Sequence, residues 1–185
     1  MFKTIEGSSL KFVFKITVIG DGGVGKTSLI KKYTQGIFED DYISTIGAQF
    51  SLYDLNIEGD ECKLYFWDIA GQKEFEFLRS DFYEESKAAI IVFSLENNDF
   101  GKQSLEHVID WYNDIKNHCG DIPIIIFANK ADLVKEGKSE NDSIKDLLGN
   151  DKIIDLYHTS AKTGKMVSDA FYRIIKELHD KYKSN

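Results

Sequence analysis

The densest chemistry in this sequence lies at Gly20-Asp21-Gly22-Gly23-Val24-Gly25-Lys26-Thr27, which fits the pattern GxxxxGK[ST]. It follows an apolar, β-branched stretch and opens a helical one, the context that pattern needs. Glycines let the backbone wrap a phosphate with its N–H groups pointing inward, and a helix N-terminus adds positive potential. Lys26 then places an ammonium on the β- and γ-phosphates, and Thr27 offers a hydroxyl to Mg²⁺. The bland alternative is a flexible glycine turn.

Trp67-Asp68-Ile69-Ala70-Gly71-Gln72 follows a second apolar strand pattern. A carboxylate at Asp68 suits Mg²⁺, directly or through water. Gly71 can bring its N–H close to a terminal phosphate, because no side chain crowds the approach. Gln72 can orient an attacking water, since an amide both accepts and donates. Thr45, in the loop-like stretch from Gly36 to Gly47, has a hydroxyl that completes a metal shell of Thr27, Thr45 and Asp68.

Asn129-Lys130-Ala131-Asp132 and Ser160-Ala161-Lys162 each follow a strand pattern. The Asp132 carboxylate can accept two hydrogen bonds from the N1–H and N2–H₂ edge of guanine. Adenine lacks that pair, and an unpaired buried polar group is how large specificity factors arise. Lys130 is expected to lay its stem along the base, Asn129 to tie loops together, and the Ala161 N–H to donate to guanine O6. Phe38 is placed to pack against the base from the far side. Each short motif alone is weak. Their order, each after a strand, gives them weight.

The elements that must position these residues are legible in outline. Lys11–Ile19, Ala48–Ile57, Cys62–Trp67, Ala88–Ser94, Ile122–Ala128 and Lys152–His158 read as strands. The two continuous apolar runs, AAIIVFS and IPIIIFA, suit strands covered on both faces. Glu58-Gly59-Asp60 signals a hairpin. The apolar phase slips near Asp54, which predicts a bulge. Lys26–Gln35, the stretch from Leu105 to Cys119, and Val167 to Tyr182 carry helical spacing. Alternating strands and helices imply an α/β fold with a mostly parallel sheet, whose ligands bind at the carboxyl ends of the strands.

Composition narrows the partners. The chain has 185 residues, 23 Lys+Arg against 31 Asp+Glu, and a formal net charge of −8. That sign disfavours nucleic acid and polybasic membrane contacts. Only two arginines occur, Arg79 and Arg173, and none lies in residues 20–72. Arg79 is expected to face outward. Two cysteines, Cys62 and Cys119, make no disulfide framework and suit a reducing compartment. The four histidines show no metal-ligand spacing and read as structural or exposed. With no apolar run of membrane-spanning length and no signal-peptide core, a cytoplasmic location is expected.

The ordered set GDGGVGKT, Thr45, DIAGQ, NKAD and SAK resembles the Ras superfamily of small GTPases, over roughly Lys11 to Tyr182. Trp67, the triplet Thr45-Ile46-Gly47 and Phe50 are most similar to the Rab branch. The resemblance implies a P-loop NTPase G domain over 11–182, between an extension (1–10) and a tail (183–185). Its sheet would have six strands, mostly parallel with one antiparallel edge strand, and about five helices. It implies GTP/GDP and Mg²⁺ as ligands, and adds Ser28 and Tyr42 to the nucleotide contacts. Gln72, Lys26, Thr45 and Gly71 take the catalytic roles.

It also implies switch segments at 36–47 and 69–83 and an aromatic effector face of Phe50, Trp67 and the Phe82/Tyr83 region. An activating protein, an exchange factor and a monomeric state are expected too. Two departures stand out: Ile69 where Thr is usual, and Lys73 where Glu is usual, reversing a charge beside Gln72. The chain as written ends without a cysteine to prenylate, which leaves a shortened sequence and an unlipidated protein both open. The leading functional expectation is a slow GTPase switch in signalling or vesicle trafficking. A pseudo-GTPase interaction module and a P-loop ATPase or small-molecule kinase are the other readings.

Overall fold

A computed structural model describes residues 10–39, 44–71, 79–134 and 153–184. Six strands form one sheet: β1 (Lys11–Ile19), β2 (Ala48–Ile57), β3 (Asp60–Ile69), β4 (Ala88–Ser94), β5 (Ile124–Asn129) and β6 (Ile153–His158). Their spatial order is β2-β3-β1-β4-β5-β6. Only the β2–β3 pair is antiparallel; the other neighbours run parallel. The α-helices among the described residues are α1 (Lys26–Gln35), α2 (Arg79–Tyr83), α3 (Asp99–Glu106), α4 (Val108–Cys119) and α5 (Val167–Lys183). The expected α/β architecture and helix number are thus found.

β4 and β5 are buried at every position, because each has a strand on both sides and helices over both faces. One face of the sheet packs Phe14, Ile16, Ile90, Val92 and Phe127 against Leu29 and Ile30 of α1 and Phe171, Ile174 and Leu178 of α5. Phe171 is the hub of that layer: Tyr33 stacks on it at 4.4 Å, and Phe66 and Phe127 meet it edge-on at 5.2 Å. The other face packs Ile19, Ile91, Phe93 and Ile126 against Val108, Trp111, Tyr112 and Ile115 of α4. The helical spacing read from the sequence therefore marks real buried stripes.

Three local expectations differ from the structure. β2 and β3 pair in continuous register from Ala48↔Ile69 to Ile57↔Asp60, so no bulge exists near Asp54. The apparent phase slip comes from Phe50 and Leu52, apolar residues that stand exposed on the outer side of an edge strand. The irregularity lies instead between Ile124 and Ile125, where β5 pairs β6. β5 begins at Ile124 rather than Ile122, since Pro123 has no N–H to give a ladder. The stretch before α4 holds a separate helix, α3, capped by the Asn98 side chain on the Gly101 N–H (2.8 Å).

The hairpin is a two-residue loop with both Glu58 and Gly59 at positive φ, as a type I′ turn needs. It delivers Asp60 into a buried clamp. Asp60 accepts from the Leu10 N–H (3.0 Å), His179 Nε2 (2.9 Å) and Lys183 Nζ (2.7 Å). A carboxylate can only accept, so His179 carries its proton on Nε2. The clamp fastens the edge hairpin to α5. Lys183, the Leu10 amide and His179 together hold the Asp60 carboxyl well below the usual carboxylate range.

A folded-state carboxyl pKa below the unfolded one stabilises above the unfolded value, about 3.9, and loses that contribution as pH falls beneath it. Asp60→Asn is therefore expected to lower the melting temperature at pH 7, with the gap to wild type closing as the pH drops below about 4. Thermal melts from pH 3 to 7 check this; a gap independent of pH would refute it.

Candidate functional site

The phosphate-type loop leaves β1 at Gly20 and enters α1 at Lys26. Gly25 caps α1 at φ 99, a left-handed geometry that suits glycine. A Cβ there would fall 2.4 Å from Asn129 Nδ2, so the glycine also makes room for a neighbouring loop. Lys26 is only 6% exposed, and its ammonium donates to the Gly20 (2.8 Å) and Asp21 (2.9 Å) carbonyls. The loop folds around its own lysine. Burial pulls the Lys26 pKa down to about 8, against the pull of Asp68 and Asp21. A buried cation near a row of backbone N–H groups is a receptor for a strong anion.

Three oxygen donors converge beside it. Thr27 Oγ1 donates to Asp68 Oδ2, and Thr45 Oγ1 lies 3.1 Å from Thr27 Oγ1 and 3.4 Å from Asp68 Oδ2. Asp68 is 3% exposed, and its other oxygen, Oδ1, has no hydrogen-bond partner among the described residues. Burial pushes the Asp68 carboxyl up, while Lys26, Thr27 and Thr45 oppose that shift. A buried carboxylate oxygen left without a partner carries a desolvation penalty larger than that of a neutral group. Two hydroxyls and a carboxylate with an unused oxygen fit a hard divalent cation such as Mg²⁺. Gly71 follows at the end of β3; a Cβ on it would lie 2.3–2.4 Å from backbone atoms of Gly20, Asp21 and Gly22. Only glycine lets the chain after Asp68 meet the loop this closely.

The far end of the cleft is built on β5 and the segment after β6. Asn129 is 1% exposed. Its Nδ2 donates to the Val24 carbonyl (2.9 Å), and its Oδ1 accepts from the Ala161 N–H (3.2 Å) and Thr159 Oγ1 (3.4 Å). One amide thus joins the phosphate loop to the Ser160-Ala161-Lys162 segment, as its expected role requires. Asp132 Oδ1 accepts from Ser160 Oγ at 2.5 Å, which fixes the carboxylate's direction. Lys130 sits at φ 65, a left-handed conformation uncommon outside glycine.

A single cleft of about 330 Å³ joins both ends. Gly22, Gly23, Gly25, Lys26, Thr27, Ser28, Phe38, Thr45, Gly71, Asn129, Lys130, Asp132, Ala161 and Lys162 line it. That is most of the site expected from sequence. Three expected nucleotide contacts do not line it. Asp21 turns its carboxylate to His107 Nδ1 (2.7 Å) and Trp111 Nε1 (2.8 Å), leaving its carbonyl to hold Lys26. Val24 buries its side chain in the core, and Ser160 acts through Asp132. The Ala161 N–H, expected to face the base, is given to Asn129. Gln72 and Tyr42 lie outside the described residues, as does Lys73.

Two aromatic and basic expectations change as well. Arg79 does not face outward. It is 9% exposed, lies 4.3 Å over the Trp111 ring, and pairs with Asp114 at 3.7 Å. Tyr83 is 1% exposed and donates to Asp114 Oδ2 (2.7 Å), so it belongs to the core rather than to a partner-facing surface. Lys31, Ile37, Glu39, Ser44, Ala70, Glu96 and Leu133, which no sequence motif marks as contacts, also line the cleft. Glu96 was discoverable: it sits two residues beyond the carboxyl end of β4, where ligands of such sheets gather.

Comparison with known proteins agrees with this geometry. The profile of the Ras family matches residues 15–180. Ras-related protein Rab-19 of Xenopus laevis is 32% identical over 176 residues, 95% of this chain and 81% of that protein. Ras-related protein Rab-13 of Bos taurus is 32% identical over 167 residues, 90% and 80% of the two chains. Ras-related protein Rab-21 of Homo sapiens is 34% identical over 171 residues, 90% and 72% of the two chains. The chain belongs to the Ras family of small GTPases, and is a Mg²⁺-dependent, GTP-binding and GTP-hydrolysing switch.

Proposed function

We propose that the nucleotide lies along the 330 Å³ cleft, with its phosphates on the Gly20–Thr27 loop and its base at Asp132. The observation that carries this reading is the shared wall. A buried ammonium (Lys26), two hydroxyls that meet the Asp68 carboxylate (Thr27 and Thr45) and a hydroxyl-braced carboxylate (Asp132) line one cavity. Lys26 and the loop amides hold negative charge. Thr27, Thr45 and Asp68 would hold Mg²⁺, which supplies charge neutralisation across the phosphates. Gly71 offers its N–H to the terminal phosphate, and Gln72 orients the water. Asp132 selects guanine, Lys130 and Phe38 flank the base, and Ser28, Tyr42, Ala161 and Lys162 complete the contacts.

Thr45 and Gly71 anchor the two switch segments, 36–47 and 69–83. Loss of a terminal phosphate releases both. An aromatic row adjoins them, exposed at Phe50 and half-buried at Trp67 and Phe82. Phe50 is 58% exposed and lies 6.1 Å from Trp67, which lies 5.8 Å from Phe82. Lys15 Nζ sits 4.4 Å over the Trp67 ring. This row is a fitting effector surface for a monomeric switch. The Rab names of the relatives support a role in vesicle trafficking. No helix among the described residues is long and apolar enough to cross a membrane.

Catalysis by this chain alone is slow. Phosphoryl transfer gains about 10³–10⁵ in rate from an arginine on the transition state. Arg79 is committed to Trp111 and Asp114, and Arg173 pairs with Glu177 on α5 at 2.9 Å. An activating partner must bring the missing cation.

Two measurements check these assignments. Single-turnover hydrolysis is expected to be slow, and a rate matching GTPases that carry their own arginine would contradict it. Asp132→Asn replaces a double acceptor with an acceptor and a donor, which matches xanthine rather than guanine. GDP affinity should fall by on the order of 10⁴ while xanthosine diphosphate affinity rises. Unchanged GDP binding would remove Asp132 from the base site.

A further inference from the structure

Lys130 enters the cleft on a left-handed backbone, with a flexible four-carbon stem rich in rotamers. Such a side chain contributes little to binding unless something fixes it beforehand. Glu96 does so here. Lys130 Nζ donates to Glu96 Oε2 at 2.6 Å, and Ser94 Oγ donates to the same oxygen at 3.0 Å. The ammonium also lies 5.4 Å over the Phe100 ring. Both partners come from one segment, the end of β4 and the first turn of α3.

That segment is itself rigidly seated. The Leu95 N–H donates to the Asn129 carbonyl (2.8 Å), and the Glu96 N–H to Ser94 Oγ (3.2 Å). A Cβ on Gly101 would fall 1.9 Å from the Glu96 carbonyl oxygen, so the first turn of α3 rests directly on the Glu96 backbone. Phe100 reaches the opposite wall too: a Cβ on Gly23 would meet its ring at 3.5 Å. Burial pushes the Glu96 carboxyl up, but the Lys130 and Ser94 hydrogen bonds and the Lys130 charge outweigh it, and the net shift is downward. The Glu96 carboxylate stays ionised at neutral pH.

A carboxylate in a cleft built for an anion is otherwise a poor choice, since it repels the phosphates. Its place 2.6 Å from an ammonium gives it a purpose. We propose that Glu96 is a positioning residue for the bound nucleotide. It pins Lys130 between its own carboxylate and the Phe100 ring, and so sets how fast nucleotide leaves. This inference rests on the reading that Lys130 flanks the base. Positioning and simple charge make opposite predictions. Removing Glu96 makes the cleft more positive, which by charge alone slows the release of GDP. If Glu96 acts by holding Lys130, its removal speeds release.

The test is dissociation of a fluorescent GDP analogue, in Mg²⁺ with excess unlabelled GDP, from the full chain and four variants. Glu96→Ala should release it about fivefold faster, and Glu96→Gln, which keeps an acceptor oxygen but not the charge, by less. Lys130→Met should also release it faster. In the Lys130→Met background, adding Glu96→Ala should change the rate less than about twofold. Slower or unchanged release from both Glu96 variants, with Lys130→Met still fast, overturns the proposal. Equal increments from Glu96→Ala in both backgrounds also overturn it, because Glu96 would then act independently of Lys130. If Lys130→Met leaves the rate at wild type while Glu96→Ala raises it, the reading of Lys130 as a base contact fails instead, and the proposal with it.

Discussion

The site depends first on one buried amide. Asn129 spends its N–H₂ on the Val24 carbonyl and its oxygen on the Ala161 N–H and the Thr159 hydroxyl. The phosphate loop and the base-side loop come from opposite ends of the sequence. A binding cleft needs their spacing fixed to a fraction of an ångström. A wholly buried side chain with three partners in a low-dielectric interior meets that need, because each partner left unmade would carry a full desolvation penalty. Glycine at position 25 is part of the same device, since any side chain there would displace the amide.

From that tie the rest follows outward. β4 and β5, buried along their whole length, deliver Ser94 and Asn129 side by side, in register at Ser94↔Asn129. Glu96 and Phe100 then lie beside Lys130, and Asp132 beside Ser160. On the other flank, β1 and β3 pair so that Val18 stands opposite Asp68, bringing the metal-type carboxylate next to the loop after Ile19. An acidic chain can therefore hold a triphosphate. The receptor proposed for it, backbone amides, one desolvated lysine and a divalent cation, depends little on net surface charge. The shortage of arginine has a different consequence. The one arginine near the switch is locked onto Trp111 and Asp114, whose neighbour Tyr83 is equally committed. Held there, it does not reach the cleft, so in the proposed mechanism a partner completes the chemistry.

Much of this was legible in the sequence. Strand ends and motif positions coincide because the physics of an open parallel sheet puts ligand contacts at the carboxyl ends of strands. What was not legible concerned where side chains turn. Asp21 stands in the phosphate motif, yet its carboxylate is taken by His107 and Trp111 at α4, and only its carbonyl serves the loop, by holding Lys26. Arg79 looked like a surface residue by type. Its burial needed an aromatic face on Trp111 and an acid at Asp114, both from a helix thirty-odd residues away, which periodicity does not reveal. Near Asp54 the apolar pattern slips with no bulge beneath it, because β2 carries exposed apolar residues, Phe50 and Leu52, on its outer side. One of them, Phe50, belongs to the surface proposed for effectors. Glu96 lies in no motif, so its place in the cleft comes from the fold alone.

The central claim is that the Asn129 tie holds the phosphate and base halves of the cleft as one site. Calorimetric titration of GDP into nucleotide-free Asn129→Ala protein, with its fold checked by circular dichroism, tests this most directly. Loss of the tie is expected to weaken GDP binding by roughly 10²-fold or more with the secondary structure intact. Binding within about threefold of wild type would contradict the account.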